Sequence, residues 1–411
     1  TRLVSDWSSD VCSSDLLMNF ILINGPVETL TFFSNKIGEE LINQGHDIFI
    51  FKMDSPIYSL SGMVDYCNQS SSVPILITFN HMGLSGEDYL TDKQGILFFD
   101  EFEIKCIDII VDHPLYYHKV MNLCPKKYIE IFIDPEHERY SRRFYPHIKH
   151  RYTMPLPGTS YIEHSLHPKK IQNRLIDIVF TGNYTPPTKL EHHLTGLDND
   201  YKSFYYSIID ELLASPDTNL STALESSIKK ELGNVSDNDL ASAMAGMIFI
   251  DLYIRFHFRG LAVSTIADSG IPVHLFGNGW DLLKCKNPQN LIIHGSTSSS
   301  GCHEAIADSK ISLNVMPWFK EGCHDRVFNS ISNGSVCLTD HSKYLDIYFK
   351  DRYNITFFDL KKIDELPSIV ESLLNSPEEL QKIADNAVSK ANSLMTWNIF
   401  VAKILVLCKN F

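Results

Sequence analysis

The chain has 411 residues, more than one hydrophobic core usually supports, so two domains are expected. Hydrophobic residues at 44% and charged residues at 21% are ordinary globular values. With 36 basic against 50 acidic residues the net charge is −14, which excludes the broad basic footprint of a nucleic-acid binder; an anionic ligand must be met by a few local cations.

Nine cysteines form no Cys-x-x-Cys pair, which points to reduced thiols and a cytoplasmic setting rather than a disulfide framework or a zinc site. No run reaches the roughly 18 to 20 apolar residues of a membrane span. The richest, Met244 to Phe256, is interrupted by Asp251 and Arg255. Residues 1–17, TRLVSDWSSDVCSSDLL, are rich in Ser and Asp and lack the basic start and apolar centre of a signal peptide. They read as a non-native leader of translated adapter sequence, with Met18 as the natural start.

Met18 to Asn24 is an apolar run closed by Gly25-Pro26, Thr29 to Gln44 repeats apolar residues at helical spacing, and Asp47 to Met53 is a second strand. This β-α-β start predicts a parallel sheet. Val73 to Phe79 is a third strand, Gly95 to Phe99 a fourth, Cys106 to Val111 a fifth and Tyr128 to Ile133 a sixth. Polar residues follow the strands at Asn80-His81, Asp112-His113 and Asp134, where open α/β sheets bind ligands. From His147 to Arg174 the composition turns to Pro, His and Lys, which predicts a connection between domains.

The second half repeats the alternation. Strands are expected at Asp177 to Phe180, Ile271 to Phe276, Leu291 to His294, Ile311 to Val315, Ser335 to Thr339 and Ile355 to Phe358. Residues 188–260 are helical by periodicity and form an insertion, and a separate helix runs from Gly260 to Ser269. Amphipathic helices close the chain at Leu366 to Leu374 and Ser376 to Ala391, with a last short one at Asn398 to Leu407. The architecture expected is α/β, with two doubly wound, Rossmann-like domains and a helical insertion in the second.

Glu321 to Asp340, EGCHDRVFNSISNGSVCLTD, is a loop carrying His324, Asp325 and Arg326 that enters a helix, breaks at Asn333-Gly334 and feeds a strand. Such a loop presents backbone N–H groups and a guanidinium to a phosphorylated ligand. The bland alternative for Arg326 is a surface arginine paired with Asp325. Thr181-Gly182-Asn183 and Gly277-Asn278-Gly279-Trp280 follow strands and let backbone approach a ligand, or are only tight turns. Asp112 and His113 are candidates for a base that takes a hydroxyl proton, with His81 behind them; alternatively Asp112 caps a helix that Pro114 starts. His192-His193, His303 and His324 show no His-x-x-x-His spacing with a carboxylate, so no metal site is assigned.

The segment from Asp177 onward, with DIVFTGNY, FGNGW, SKISLNV and HDRVFNSISNGSVCLTD in this order, resembles the C-terminal domain of group 1 glycosyltransferases of the GT-B fold, near the bacterial spore-maturation type. The resemblance implies a metal-independent hexosyltransferase that needs no cofactor and takes a nucleotide-diphosphate sugar as co-substrate. Residues 18–150 would then be the acceptor domain, 151–176 the linker and 177–395 the donor domain carrying the 188–260 insertion. Residues 396–411 would form a helix returning to the first domain. The resemblance also implies a sugar-facing, catalytic Glu321 and a ribose-facing glutamate eight positions on, where Asn329 stands instead.

The expected function is transfer of a sugar from a nucleotide-diphosphate donor to the hydroxyl of a glycan or protein acceptor, with peripheral membrane contact through the last helix left open. The expected donor residues are Thr181, Gly182, Asn183, Gly277, Asn278, Gly279, Trp280, His324, Asp325, Arg326 and Asn329. Asp112, His113 and Glu321 are expected to act in catalysis. The alternatives are a sugar-nucleotide epimerase of the same fold and a catalytically silent sugar-nucleotide-binding scaffold.

Overall fold

The computed structural model describes residues 17–161 and 168–409, so all of the expected leader but Leu17 lies outside the described residues. The chain divides into two compact units. The first ends at Pro155 and takes back Trp397–Phe411; the second is Leu156–Thr396.

The first unit is built on β1 (Asn19–Asn24), β2 (Asp47–Lys52), β3 (Ile75–Phe79), β4 (Lys105–Ile110), β5 (Tyr128–Phe132) and β6 (His150–Thr153). They form one sheet in the order β2-β1-β3-β4-β5-β6, parallel throughout. Helices on both faces explain why β3 and β5 are buried at every position and read as near-continuous apolar runs. Helix α1 (Glu28–Asn43) buries Leu30, Phe33, Ile37 and Leu41, three or four residues apart, which is one helical face. The C-terminal helix Trp397–Lys409 packs on it, with the Phe33 and Trp397 rings 5.9 Å apart. Completing the unit are α2 (Pro56–Gln69), the short α3 (Phe98–Glu101) and α4 (Pro135–Phe144).

Glu130, in the middle of β5, is wholly buried. Its Oε2 accepts from Ser141 Oγ at 2.7 Å and lies 3.2 Å from Arg151 Nε on β6. Burial raises this carboxyl to about 7, although Ser141 and Arg151 oppose the rise.

Two expectations fail in this unit. Gly95 to Phe99 is not a sheet strand, because the Asp92 carboxylate accepts from the N–H groups of Gln94 and Ile96 and closes a turn that runs into α3. The sixth strand instead falls at His150–Thr153, in the Pro- and His-rich stretch read as connection, held to β5 by its ladder and by Arg151.

The second unit contains β7 (Ile176–Thr181), β8 (Val273–Phe276), β9 (Leu291–Gly295), β10 (Ser309–Asn314), β11 (Val336–Asp340) and β12 (Thr356–Phe358), close to the positions expected. Their order is β12-β11-β10-β7-β8-β9, again all parallel. Between β7 and β8 come α5 (Asn199–Ala214), α6 (Leu220–Leu232), α7 (Asp237–Ala245) and α8 (Ile248–Asp268). The expected break at Gly260 is absent: α8 runs through it, and Gly260 sits against Tyr184, where a Cβ would come within 2.7 Å of the ring. The insertion is therefore α5 to α7, and α8 is the crossover helix itself. The rest of the unit holds α9 (Ser299–Ala307), α10 (Asp325–Ser332), α11 (Lys343–Tyr348), α12 (Leu366–Leu374) and α13 (Pro377–Leu394).

Among the described residues, Pro377–Lys409 contains a window apolar enough to cross a membrane. Its apolar side chains are nevertheless committed to protein cores: Leu380, Ile383 and Ala387 are buried in the second unit, and Phe400, Val401 and Ile404 in the first.

In each sheet the chain reverses its direction of growth once, between β1 and β3 and between β7 and β10. The crevice outside the strand ends at such a reversal is where doubly wound sheets take ligands.

Candidate active site

In the second unit, the reversal lies at the ends of β7 and β10. The exit of β7 and the exit of β8 are locked together: Gly182 N–H donates to Phe276 O at 2.7 Å, Asn278 N–H to Asn183 Oδ1 at 2.9 Å, and Tyr184 N–H to Asn278 O at 2.9 Å. Only glycine permits this approach. Gly277 has φ 143°, and a Cβ there would lie 2.3 Å from Gly182 O. Trp280, expected to face the donor, is instead wholly buried; its Nε1 donates to Gly182 O at 2.8 Å and its ring stacks on Tyr184 at 5.1 Å. It braces the turn rather than offering a surface.

Helix α10 starts at the same edge. His324 is its N-cap, with Nδ1 accepting from Arg326 N–H at 3.1 Å. Burial lowers the imidazole, Asp325 opposes, and the nearby arginines reinforce the lowering. Burial would raise Asp325, but His324 and then Arg326 hold it down to about 2.

Arg326 is 8% exposed; Nη1 donates to Asn314 Oδ1 at the end of β10 at 2.9 Å, and the guanidinium lies 5.1 Å from the Phe180 ring centre. Its Nη2 would be 3.0 Å from a Cβ on Gly182, so that glycine also makes room for it.

Two further arginines reach this edge from α8, one helical turn apart. Arg255 lies 4.0 Å over Trp318 and pairs with Asp251 at 2.9 Å. Arg259, 7% exposed, lies 5.9 Å from Phe180 and 5.0 Å from Trp318, and donates to Asn183 O at 3.1 Å. Burial first, then Arg326 and Arg255, push its guanidinium well below the usual range. Among the described residues no carboxylate lies within salt-bridge distance of Arg259. Beside them a small recess is lined by Leu212, Leu220, Asp251, Ile254, Pro317 and Trp318.

The sequence reading missed Arg255, Arg259, Asn314 and Trp318. The signal was present in IRFHFRG, where two arginines four apart interrupt a helix that is otherwise mostly apolar. Arg255, read only as an interruption of an apolar run, reaches the same edge as Arg259.

Glu321 ion-pairs with Lys343 at 2.6 Å. Asn329 is committed inside the unit: Oδ1 accepts from Thr159 N–H at 2.8 Å and Nδ2 donates to Asp325 Oδ2 at 2.9 Å. One turn later Asn333 repeats the pattern, accepting from Tyr161 N–H at 2.7 Å and donating to Thr159 O at 2.8 Å. The two asparagines clamp residues 159–161 to α10. This arrangement argues against the ribose-binding role expected of Asn329.

In the first unit, Asp112 and His113 follow β4. The cap of the next turn is His113, not Asp112: His113 Nδ1 accepts from Leu115 N–H at 3.1 Å. Asp112 Oδ2 instead accepts from Asn80 Nδ2 at 3.1 Å and Tyr117 OH at 3.4 Å.

His113, Glu136 and His137 bring donor atoms within 4.8 Å of one another, the only such trio among the described residues. The bond from Leu115 occupies the His113 Nδ1 lone pair, so the neutral ring carries its proton on Nε2, 3.3 Å from Glu136 Oε2. That proton blocks the lone pair a metal would need there, and the trio fits a His–Glu contact better than a metal centre.

Residues 259–405 match the model of a family described as Glycosyl transferase-like. No curated protein matches the sequence. Among solved structures, the sucrose-phosphate synthase of Thermosynechococcus elongatus is similar, with a TM-score of 0.55 at 10% identity over 96% of this chain and 98% of that one. The Anabaena protein HepE in complex with UDP gives 0.52 at 9% identity over 96% and 100%. The DNA-modifying enzyme beta-glucosyltransferase, studied with and without uridine diphosphoglucose, gives 0.52 at 12% identity over 92% and 94%.

At these identities the likeness establishes the fold, two Rossmann-like units of the GT-B type. The family match covers only part of the chain, its residues running from within α8 into the C-terminal helix.

Proposed function

We propose that the chain is a metal-independent hexosyltransferase that moves a sugar from a nucleotide diphosphate held on the second unit to an acceptor hydroxyl held on the first. The observation that carries the reading is the gathering of Arg259 and Arg326 around Phe180 at the β7–β10 reversal, with no carboxylate among the described residues in salt-bridge distance of Arg259. Two guanidiniums buried side by side repel one another, and a bound diphosphate would neutralise them with bidentate bonds.

As the sugar–phosphate bond breaks, negative charge builds on the leaving diphosphate. Fixed cations and the N-terminus of α10 stabilise it without reorganisation, which is the larger part of catalysis in such a reaction. Asp112 serves as the base for the acceptor hydroxyl. No cofactor enters this scheme. The acceptor is a glycan or a protein, the setting is the bacterial cytoplasm, and the subfamily is the spore-maturation type; the cysteine pattern and the motif order support these finer points.

UDP is the first nucleotide to test, since it is the one bound in HepE. Calorimetry against UDP, GDP, dTDP, CMP and their sugars should find one diphosphonucleotide that binds and that Arg326→Ala loses. A folded protein that binds none of them refutes the donor site and leaves a silent scaffold as the better reading.

A further inference from the structure

The chain leaves β3 through two consecutive left-handed residues, neither of them glycine: Asn80 at φ 49° and His81 at φ 62°. Such conformations persist only where the surroundings enforce them, and they gather at functional sites. Here they send two neighbouring side chains to different tasks. His81 turns inward, wholly buried, and ion-pairs with Asp108, which also accepts from Tyr128 OH at 2.9 Å.

Asn80 faces the strand ends. Its Oδ1 accepts from Val111 N–H at 2.9 Å and its Nδ2 donates to Asp112 Oδ2 at 3.1 Å. Tyr117 OH approaches the same oxygen at 3.4 Å, and its ring stacks on His81 at 5.8 Å. One bond therefore ties Asn80 to the backbone beside Asp112, and the other sets the direction of the Asp112 carboxylate.

We propose that Asn80 is a positioning residue for the transfer reaction: from its left-handed backbone it holds the Asp112 carboxylate where it takes the acceptor's proton. In that step the acceptor oxygen bonds to the anomeric carbon, its proton passes to Asp112, and the nucleotide diphosphate leaves with the electrons of the broken carbon–oxygen bond. The inference rests on the reading of Asp112 as the base. It assigns no contact with substrate to Asn80 itself.

Water can replace the acceptor, so hydrolysis of a sugar nucleotide reads the step before the acceptor is known. Of UDP-glucose, GDP-mannose and dTDP-glucose, the one that binds best by calorimetry serves as the probe. Asn80→Asp is nearly isosteric and still accepts from Val111, but it cannot donate to Asp112. Asn80→Gly keeps the left-handed backbone at no steric cost and loses both bonds, so it serves if the first variant folds poorly.

Each should lower kcat about 10- to 100-fold, the range of one charge-assisted hydrogen bond, and leave the calorimetric Kd of the probe unchanged. Asp112→Asn should lower kcat at least as far, and adding Asn80→Gly to it should lower it no further. If the Asn80 variants keep full kcat while Asp112→Asn loses it, the inference falls and the base reading stands. If Asp112→Asn keeps full kcat, or the wild type binds a sugar nucleotide and hydrolyses none, the base reading falls and takes the inference with it.

Discussion

Replacing Arg259 with Met should separate binding from stability. In the folded chain Arg259 donates one hydrogen bond, to Asn183 O, while its Nε has no partner, and two other guanidiniums share its surroundings. Losing a hydrogen bond to a neutral carbonyl costs about 1 kcal/mol. Removing a buried cation that lacks a paired carboxylate returns a similar amount or more, and Met retains much of the packing against Trp318 and Phe256. The ligand-free melting temperature should therefore stay level or rise. Affinity for the diphosphonucleotide should fall about 10- to 100-fold, which is about 1.4 to 2.8 kcal/mol. Differential scanning fluorimetry without ligand and calorimetry with UDP measure the two quantities. A melting temperature that drops by several degrees with an unchanged Kd would refute the argument and make Arg259 a structural residue.

Glu130 gives a pH test. Its carboxyl is raised to about 7 from 4.5, so the folded chain holds a proton that the unfolded chain releases between those values. The resulting stability is full below about pH 4.5 and is lost as pH rises to 7, roughly 3 kcal/mol in all. Urea midpoints of the wild type should fall relative to Glu130→Gln across that window, and parallel profiles would disprove it. Asn329→Glu, which supplies the glutamate that the resemblance calls for, should not improve nucleotide binding. It replaces the amide donor to Asp325 with a second carboxylate, and chemical denaturation should show a loss of about 1 to 3 kcal/mol; tighter UDP binding would contradict this. In Gly158→Ala the new Cβ would lie 2.3 Å from the backbone oxygen of Phe328, where neither side yields easily. A loss of about 1 to 3 kcal/mol is expected by the same measurement, and an unchanged midpoint would show that the segment is not held there.

The strand alternation of both halves was legible because parallel strands covered on both faces must be apolar at nearly every position. Runs such as ILITF at β3 and VCLTD at β11 therefore mark themselves, and the glycine turns after β7 and β8 follow from backbone sterics alone. His324 to Arg326 could be placed at a helix start because capping is local chemistry. What sequence could not supply is where a side chain goes once distant segments meet. Trp280 follows a glycine turn like a ligand platform, yet tertiary packing turns it inward onto Tyr184 and Gly182. Asn329 stands at the position of an expected ribose contact, yet Thr159, 170 residues away, takes its carbonyl. Arg259 carried no reading in the sequence, and only the packing of α8 sets it near Phe180 with Arg326. Periodicity and turn chemistry act over a few residues and determined the elements. The site is made of contacts between residues far apart in the chain, and only the packed structure fixed which cations converge and which polar groups are already used.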